Sequence, residues 1–314
     1  AWGQGASDFA GWVEVGGDCV MTKDERRKTE NKASSFVVRP SSLTDTHCHL
    51  DLAQFDADRD AVIERAAAVG VGWIVNPAID LASCRRALAL ADRHPNVYAA
   101  VGVHPNDCAD FDASTVVTLR ALAQHPKVVA IGEIGLDYYW GKVAPERQHA
   151  ALLAQLELAA ELRLPVILHS RNPAGGAPTC NADLLCVMAQ MGPAIRKGRG
   201  EDAILGIWHA FSGDQAEAQQ AYNLGLALGL GGPVTFQNAR RLQALAPQLR
   251  RDRLVLETDA PYLAPHPHRG KRNEPGYVPL IAERLAQLWD MPVDAVALAT
   301  TATANRCFGI VNSG

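Results

Sequence analysis

The stretch Thr44-Asp45-Thr46-His47-Cys48-His49-Leu50-Asp51 governs how the rest of the chain is read. As an extended strand it sends successive side chains to opposite faces, so His47 and His49 point one way and Cys48 the other. Two neutral imidazoles side by side bind a borderline metal such as zinc, manganese or iron. A lone His-x-His also suits a hydrogen-bonded core histidine. The case for a site comes from further potential ligands later in the chain, each ending an apolar run.

Outward from that strand an alternation repeats. Helices are expected over Asp56–Val69, Leu81–Arg93, Ser114–Gln124, Glu146–Leu162, Ala182–Met191, Gln215–Leu224 and Leu242–Leu249. Strands are expected between them over Gly70–Val75, Val97–Val103, Val128–Ile134, Pro165–His169, Ile204–Trp208, Leu226–Leu230 and Leu254–Glu257. Three helices, Val278–Leu288, Val293–Ala299 and Thr301–Phe308, close the chain. The strand segments are short continuous apolar runs, as parallel strands buried on both faces require. With the strand at His47 they number eight, which over about 250 residues predicts a (β/α)8 TIM barrel. An open doubly wound sheet is the competitor. It is disfavoured because no Gly-x-Gly-x-x-Gly follows the first strand, and polar residues fall at many strand ends. Residues 43–314 read as one domain. Asn172–Asp202, rich in Gly, Pro and basic residues, is expected to be a loop around one helix, with Gly192–Gly200 mobile.

Residues 1–42 lack this periodicity and are expected to form a disordered or loosely attached tail. The first methionine is Met21, so residues 1–20 read as a leader or an extended start. The net charge of −4 argues against a protein that coats nucleic acid by bulk electrostatics, though not against a local site where metals supply positive charge. No apolar run approaches the roughly 20 residues of a membrane span. Seven scattered cysteines without a Cys-x-x-Cys suit a reducing cytoplasm.

The proposed strand ends carry His47 and His49, His104, Glu133, His169 with Arg171, His209, and Glu257 with Asp259. In a barrel these ends converge on one mouth, where active sites of this fold lie. The inventory suits a centre of two divalent metals, Mg, Mn or Zn. His47 and His49 would hold one ion, and His169 with His209 the other. Glu133 would bridge them, and Asp259 would complete the first site and accept a proton from bound water. Two such ions bring the pKa of water toward about 7 and stabilise both oxygens of a phosphodiester displacement.

The set resembles the TatD-type metal-dependent deoxyribonucleases of the amidohydrolase superfamily, from about Leu43 to Ile310. The resemblance is carried by Asp45 to Asp51, Gly132 to Tyr139, His169-Ser170-Arg171, His209 to Gly213, Glu257 to Leu263, and Arg269 to Pro275. It implies metal binding by His47, His49, Glu133, His169, His209 and Asp259. It implies 3′-to-5′ exonuclease action on single-stranded DNA or RNA, as in some members, and a role in DNA repair or nucleic-acid turnover. Asn172 and Ala210 stand where family members have an acidic residue and, often, cysteine, which bears on substrate preference.

Beyond the ligands, His104 is expected to touch substrate phosphate, and Arg171 to clamp it bidentately. Arg269, Lys271 and Arg272 form a compact basic loop with Asn273, read as a substrate contact at the mouth. Tyr138, Tyr139 and Trp140 read either as stacking surfaces for an unpaired base or as core. Two other functions remain open on these residues: hydrolysis of a triester, lactone or cyclic amide on the same centre, and a catalytically idle nucleic-acid binding partner.

Overall fold

The computed structural model describes residues 43–175 and 179–310; the expected tail lies outside them. The strands are β1 (Leu43–Asp45), β2 (Val71–Pro77), β3 (Val97–Val101), β4 (Val128–Asp137), β5 (Val166–Arg171), β6 (Gly206–Trp208), β7 (Leu226–Leu230) and β8 (Leu254–Leu256). They lie in one sheet in sequence order, every neighbouring pair parallel. The sheet closes just beyond the ends of β1 and β8. There Thr46 donates its backbone N–H to Leu256 O (3.0 Å), Asp259 to His47 O (2.8 Å) and His49 to Ala260 O (2.8 Å). Eight parallel strands closed on themselves form the expected barrel.

The helices are α1 (Arg59–Ala68), α2 (Leu81–Arg93), α3 (Ala113–Leu122), α4 (Pro145–Leu162), α5 (Thr179–Arg199), α6 (Gln215–Asn223), α7 (Arg240–Leu245), α8 (Val278–Trp289) and α9 (Val293–Phe308). Their starts are written locally. Asp80 with Ser83, Asp112 with Thr115 and Asp214 with Glu217 each make a reciprocal capping box at the heads of α2, α3 and α6. Among the described residues no helix is long and apolar enough to cross a membrane.

Two cores result. The larger packs the helices on the outside of the sheet. The smaller fills the barrel with Val75, Ala100, Val129, Ile167, Ile207, Ala227 and Val255. Trp73 lies among them and donates Nε1–H to Asn305 (3.2 Å), with its ring edge-on to Phe308 of α9. Side chains in a strand alternate with a period of two, so Ile167, Ile207 and Val255 each stand one layer below His169, His209 and Glu257. An apolar plug therefore supports a polar layer at the C-terminal mouth.

Three expectations need correction. β1 ends at Asp45, and His47 and His49 follow it in extended backbone, where Cys48 bridges Ala260. The segment expected to be a loop with a mobile end is mostly helix, since α5 continues through Gly192 and Pro193 to Arg199. Buried Met188 and Ile195 hold it against the barrel, and the Arg199 guanidinium ties its last turn to Arg163 O (3.1 Å) and Cys307 O (2.7 Å). Tertiary contacts thus override weak local propensity. The two closing helices are one, because Thr300 and Thr303 bond back to Val296 O (2.9 Å) and Ala299 O (3.1 Å) without breaking the turn.

Candidate metal centre

The site begins where the barrel closes. Asp45, fully buried at the end of β1, accepts from the backbone N–H groups of His47 (3.2 Å) and Thr258 (2.9 Å) and from the Thr258 hydroxyl (2.5 Å). This joint fixes His47 and His49 beside Asp259. The Nε2 atoms of the two histidines approach to 3.2 Å, while Cys48 packs into the outer core. His49 Nδ1 lies 3.2 Å from Pro77 O, which sets the proton there and turns the Nε2 lone pair inward.

Glu133 lies within β4, and its two oxygens face different partners. Oε2 is 3.3 Å from His47 Nε2 and 3.6 Å from His49 Nε2. Oε1 is 2.8 Å from His169 Nδ1 and 3.8 Å from His209 Nε2. Asp259 turns Oδ1 toward His49 (3.7 Å), His47 (3.9 Å) and His209 (4.0 Å). The donor atoms gather into overlapping groups: His47, His49 and Glu133; Glu133, His169 and His209; His47, His209 and Asp259; His104, Asp137 and His169. Asp259 adopts φ 57° and Ala210 φ 47°, left-handed conformations that cost energy in non-glycine residues and cluster at functional sites.

Carboxylates behind the imidazoles complete the arrangement. Glu257 Oε1 lies 3.1 Å from His209 Nδ1 and accepts the Ala210 N–H (2.6 Å). A Cβ on Gly229 would fall 2.2 Å from Glu257 Oε2, so only glycine leaves room for this carboxylate. Asp137 lies 3.1 Å from His169 Nε2 and accepts from Asn106 (2.9 Å) and the Tyr139 N–H (2.9 Å).

Charge in the donor set is strongly redistributed. Burial, then the neighbouring His209, holds His47 well below the ordinary imidazole value. Burial, then His169, brings His104 down to about 3. Burial opposes the charge on Glu133, yet His47 and His169 outweigh it and hold the carboxyl well below its usual range. Burial likewise opposes protonation of His209, but Glu257, Asp259 and Glu133 push it up to about 10. Imidazoles packed nitrogen to nitrogen around carboxylates are a donor set that protons satisfy poorly and divalent cations satisfy well. His47 Nε2 and His49 Nε2, 3.2 Å apart, can share at most one proton between them. The residues fit a resident metal.

A cavity of about 660 Å³ opens over this layer. His104 and Arg171 line it, as do Lys142, Trp140, Phe211 and Tyr262. The Arg171 guanidinium lies 4.1 Å above the Tyr139 ring and 5.3 Å from that of Trp140. Both rings are exposed, whereas the Tyr138 hydroxyl is taken up by His149 (2.7 Å) and Asp183 (2.9 Å).

The basic loop is not brought to this cavity. Arg269 lies over the Phe236 ring, 4.4 Å from its centre, and reaches Asn238 (3.3 Å); Lys271 is exposed away from the lining. Arg272 forks onto Asp58 (2.6 and 2.8 Å) and also bonds Glu274 (3.1 Å). Asn273 is fully buried and donates to Thr258 O (2.8 Å) and Tyr262 O (2.6 Å), so it braces the Asp259 loop from behind. The sequence placed Glu257 at the mouth beside Asp259 without a specific role, and gave none to Asp45 or Asp137. The signal was there for Asp45, which precedes His47 by two and His49 by four on one extended face.

The chain matches the family model described as TatD related DNase over residues 44–309. It is 40% identical over 268 residues to the uncharacterized metal-dependent hydrolase YabD of Bacillus subtilis, covering 85% of this chain and 99% of that one. It is 35% identical over 274 residues to the 3′-5′ ssDNA/RNA exonuclease TatD of Erwinia amylovora, covering 85% and 100%. Among solved structures, the TatD homologue YJJV of Escherichia coli superposes with a TM-score of 0.78 at 32% identity, covering 87% of this chain and all 100% of that one. A carboxylate between two histidine pairs, at the mouth of a barrel with these relatives, places the chain in the TatD-related DNase family of metal-dependent hydrolases.

Proposed function

We propose that the cavity hydrolyses phosphodiester bonds of single-stranded DNA or RNA, removing nucleotides from the 3′ end. The observation that carries the reading is the position of Glu133, with Oε2 3.3 Å from His47 and Oε1 2.8 Å from His169. One carboxylate serving two donor groups suits a pair of divalent ions, Mg, Mn or Zn. Such ions, when bound, lower the pKa of water toward about 7 and neutralise phosphate charge. His47 and His49 would hold one and His169 with His209 the other, with Glu133 between them and Asp259 completing the first. Relatives named as exonucleases on single-stranded DNA and RNA support the substrate class.

The chain's own residues supply the rest. Asp259 turns Oδ1 into the donor cluster and serves as proton acceptor from the attacking water. Without metal, burial raises its pKa above the ordinary carboxyl value even against the pull of His209 and His49. Arg171 holds a phosphate oxygen pair through its planar fork, pre-set by the Tyr139 ring below it. His104, kept neutral by burial, offers Nε2 to a phosphate oxygen as a donor once Asn106 N–H occupies Nδ1. Tyr139 and Trp140 offer faces on which an unpaired base stacks. The six described cysteines are free, which fits a reducing cytoplasm; a role in repair or turnover of nucleic acid would follow from the substrate class.

Chelated and metal-reloaded protein, given 5′-labelled single-stranded DNA, RNA, duplex DNA and a phosphotriester, tests the reading. The expected result is metal-dependent shortening of the single strands from the 3′ end. Turnover of the triester alone, or of no substrate in the reloaded sample, would overturn it.

A further inference from the structure

Opposite walls of the cavity differ in chemistry. Trp140 and Lys142 follow β4 and Arg171 ends β5; Lys142 and Arg171 are the lysine and arginine of the lining. Tyr262 and Leu263 follow β8, while Pro233 and Leu242 follow β7. Strands in sequence order around an eight-stranded barrel put β4 and β5 across the mouth from β8 and β1. One wall therefore carries the fixed positive charge, and the facing wall is mostly carbon.

The carbon wall stands directly beside the metal centre. The Tyr262 ring lies edge-on to that of His49, their centres 6.4 Å apart. Tyr262 is 50% exposed and Leu263 43%, so two adjoining apolar side chains are left open at the rim. Such a patch at a cavity marks a binding surface. The backbone is held to present it. Leu263 adopts φ 52°, a left-handed conformation costly for leucine, and a Cβ on Gly232 would overlap its carbonyl. Behind the loop, buried Asn273 donates to Tyr262 O (2.6 Å).

We propose that Tyr262 and Leu263 receive the base of the 3′-terminal nucleotide, with Pro233 and Leu242 on the same wall, while the rest of the strand leaves past Arg171 and Lys142. The proposal rests on reading the cavity as the site of 3′-end hydrolysis. A strand gripped at its last phosphodiester is chemically lopsided. On the 5′ side every further nucleotide brings another phosphate, which suits the cationic wall. On the 3′ side only a sugar and a base remain, which suit an aromatic face and carbon. Pro233, Leu242 and Leu263 offer no side-chain donor or acceptor, so the subsite holds any base without reading its edge.

Steady-state kinetics of the metal-loaded full chain test this on single-stranded DNA that is intact, abasic at its 3′-terminal position, or abasic at an upstream one. For the wild type, the terminal abasic unit should raise KM about tenfold, whereas exchanging one terminal base for another should change it little. Tyr262→Ala should raise KM about tenfold on the intact strand, and the terminal abasic unit should then add nothing further. The cost of the upstream unit should stay as in wild type, and Tyr262→Phe should restore wild-type behaviour throughout. Rapid mixing with a strand ending in 2-aminopurine gives a second readout, because stacking quenches that base before any bond is cut. Quenching should persist in Tyr262→Phe and be lost in Tyr262→Ala. A terminal abasic penalty or a quench equal in wild type and Tyr262→Ala would overturn the proposal. Quenching that needs Tyr262, with no strand cleaved, would support the base subsite and overturn the nuclease reading; neither quenching nor cleavage would overturn both.

Discussion

Asp259 donates its backbone N–H to the carbonyl of His47 at 2.8 Å. The last strand of the barrel is thereby registered directly against the first imidazole of the site. Closure of the sheet and construction of the metal centre are one joint, pinned from behind by Asp45 and Thr258.

Thr258→Val tests that joint. Removing the hydroxyl leaves the buried Asp45 carboxylate one donor short, a loss of about 1–3 kcal/mol. Thermal melting should fall, and affinity for the metal should fall with it, although Thr258 is not placed among the ligands. A variant that melts lower yet binds metal as before would separate the two roles.

Glu133→Gln keeps the volume and removes the charge shared between His47 and His169. Metal affinity should drop by more than the about 10–100-fold typical of losing an outer partner, and hydrolysis should be lost. Metal analysis by mass spectrometry after gel filtration, beside the nuclease assay, reads both. Full activity would remove the mechanism.

Metal uptake should release protons. With His209 pushed up to about 10 in the metal-free protein, its imidazole is charged at neutral pH and must deprotonate to coordinate. Apparent affinity should therefore rise about tenfold per pH unit between pH 7 and 9. The sign for folding is the reverse. A raised histidine stabilises the metal-free fold fully below its unfolded value and loses that contribution as pH rises through about 10. Calorimetry in two buffers of different ionisation enthalpy counts the protons, and a flat profile would contradict the assignment.

Arg272 should matter for the fold more than for substrate. Its fork onto Asp58 holds that carboxyl well below the usual range, with Arg65 adding a further bond. A depressed carboxyl contributes stability above its unfolded value and loses it as pH falls through the lower, folded value. Arg272→Gln should lower the melting temperature by a few degrees at neutral pH and progressively less in acid. KM for DNA should not move. A raised KM with unchanged melting would restore the substrate role expected from sequence.

Arg171→Lys keeps a cation at the cavity but removes the planar fork and its seat on Tyr139. Steady-state kinetics on single-stranded DNA should show KM raised about tenfold, matching about 1.4 kcal/mol, with kcat little changed. A fall in kcat at constant KM would move Arg171 into the chemical step.

The parts of this molecule legible in sequence are those with a short period. Ile167 beneath His169 and Ile207 beneath His209 follow from the alternation of a strand, so both the barrel and its polar rim could be read directly. What escaped depends on partners far along the chain. Asn273 looks like one more polar residue in a basic loop until Thr258 and Tyr262 take its two amide hydrogens. Arg272 is indistinguishable from Arg171 by type, and Asp58, more than two hundred residues earlier, decides its role. α5 runs on through Gly192 and Pro193 because the barrel wall behind Ile195 and the carbonyl of Cys307 hold it. No local signal carries that information.

The seam between the first and last strands also sets a schedule for biosynthesis. The groups that orient His47, namely Thr258 and Asp259, are translated more than two hundred residues after it. Until then the nascent chain holds an unfinished cage, with His47, His49, Glu133, His169 and His209 made before Asp259.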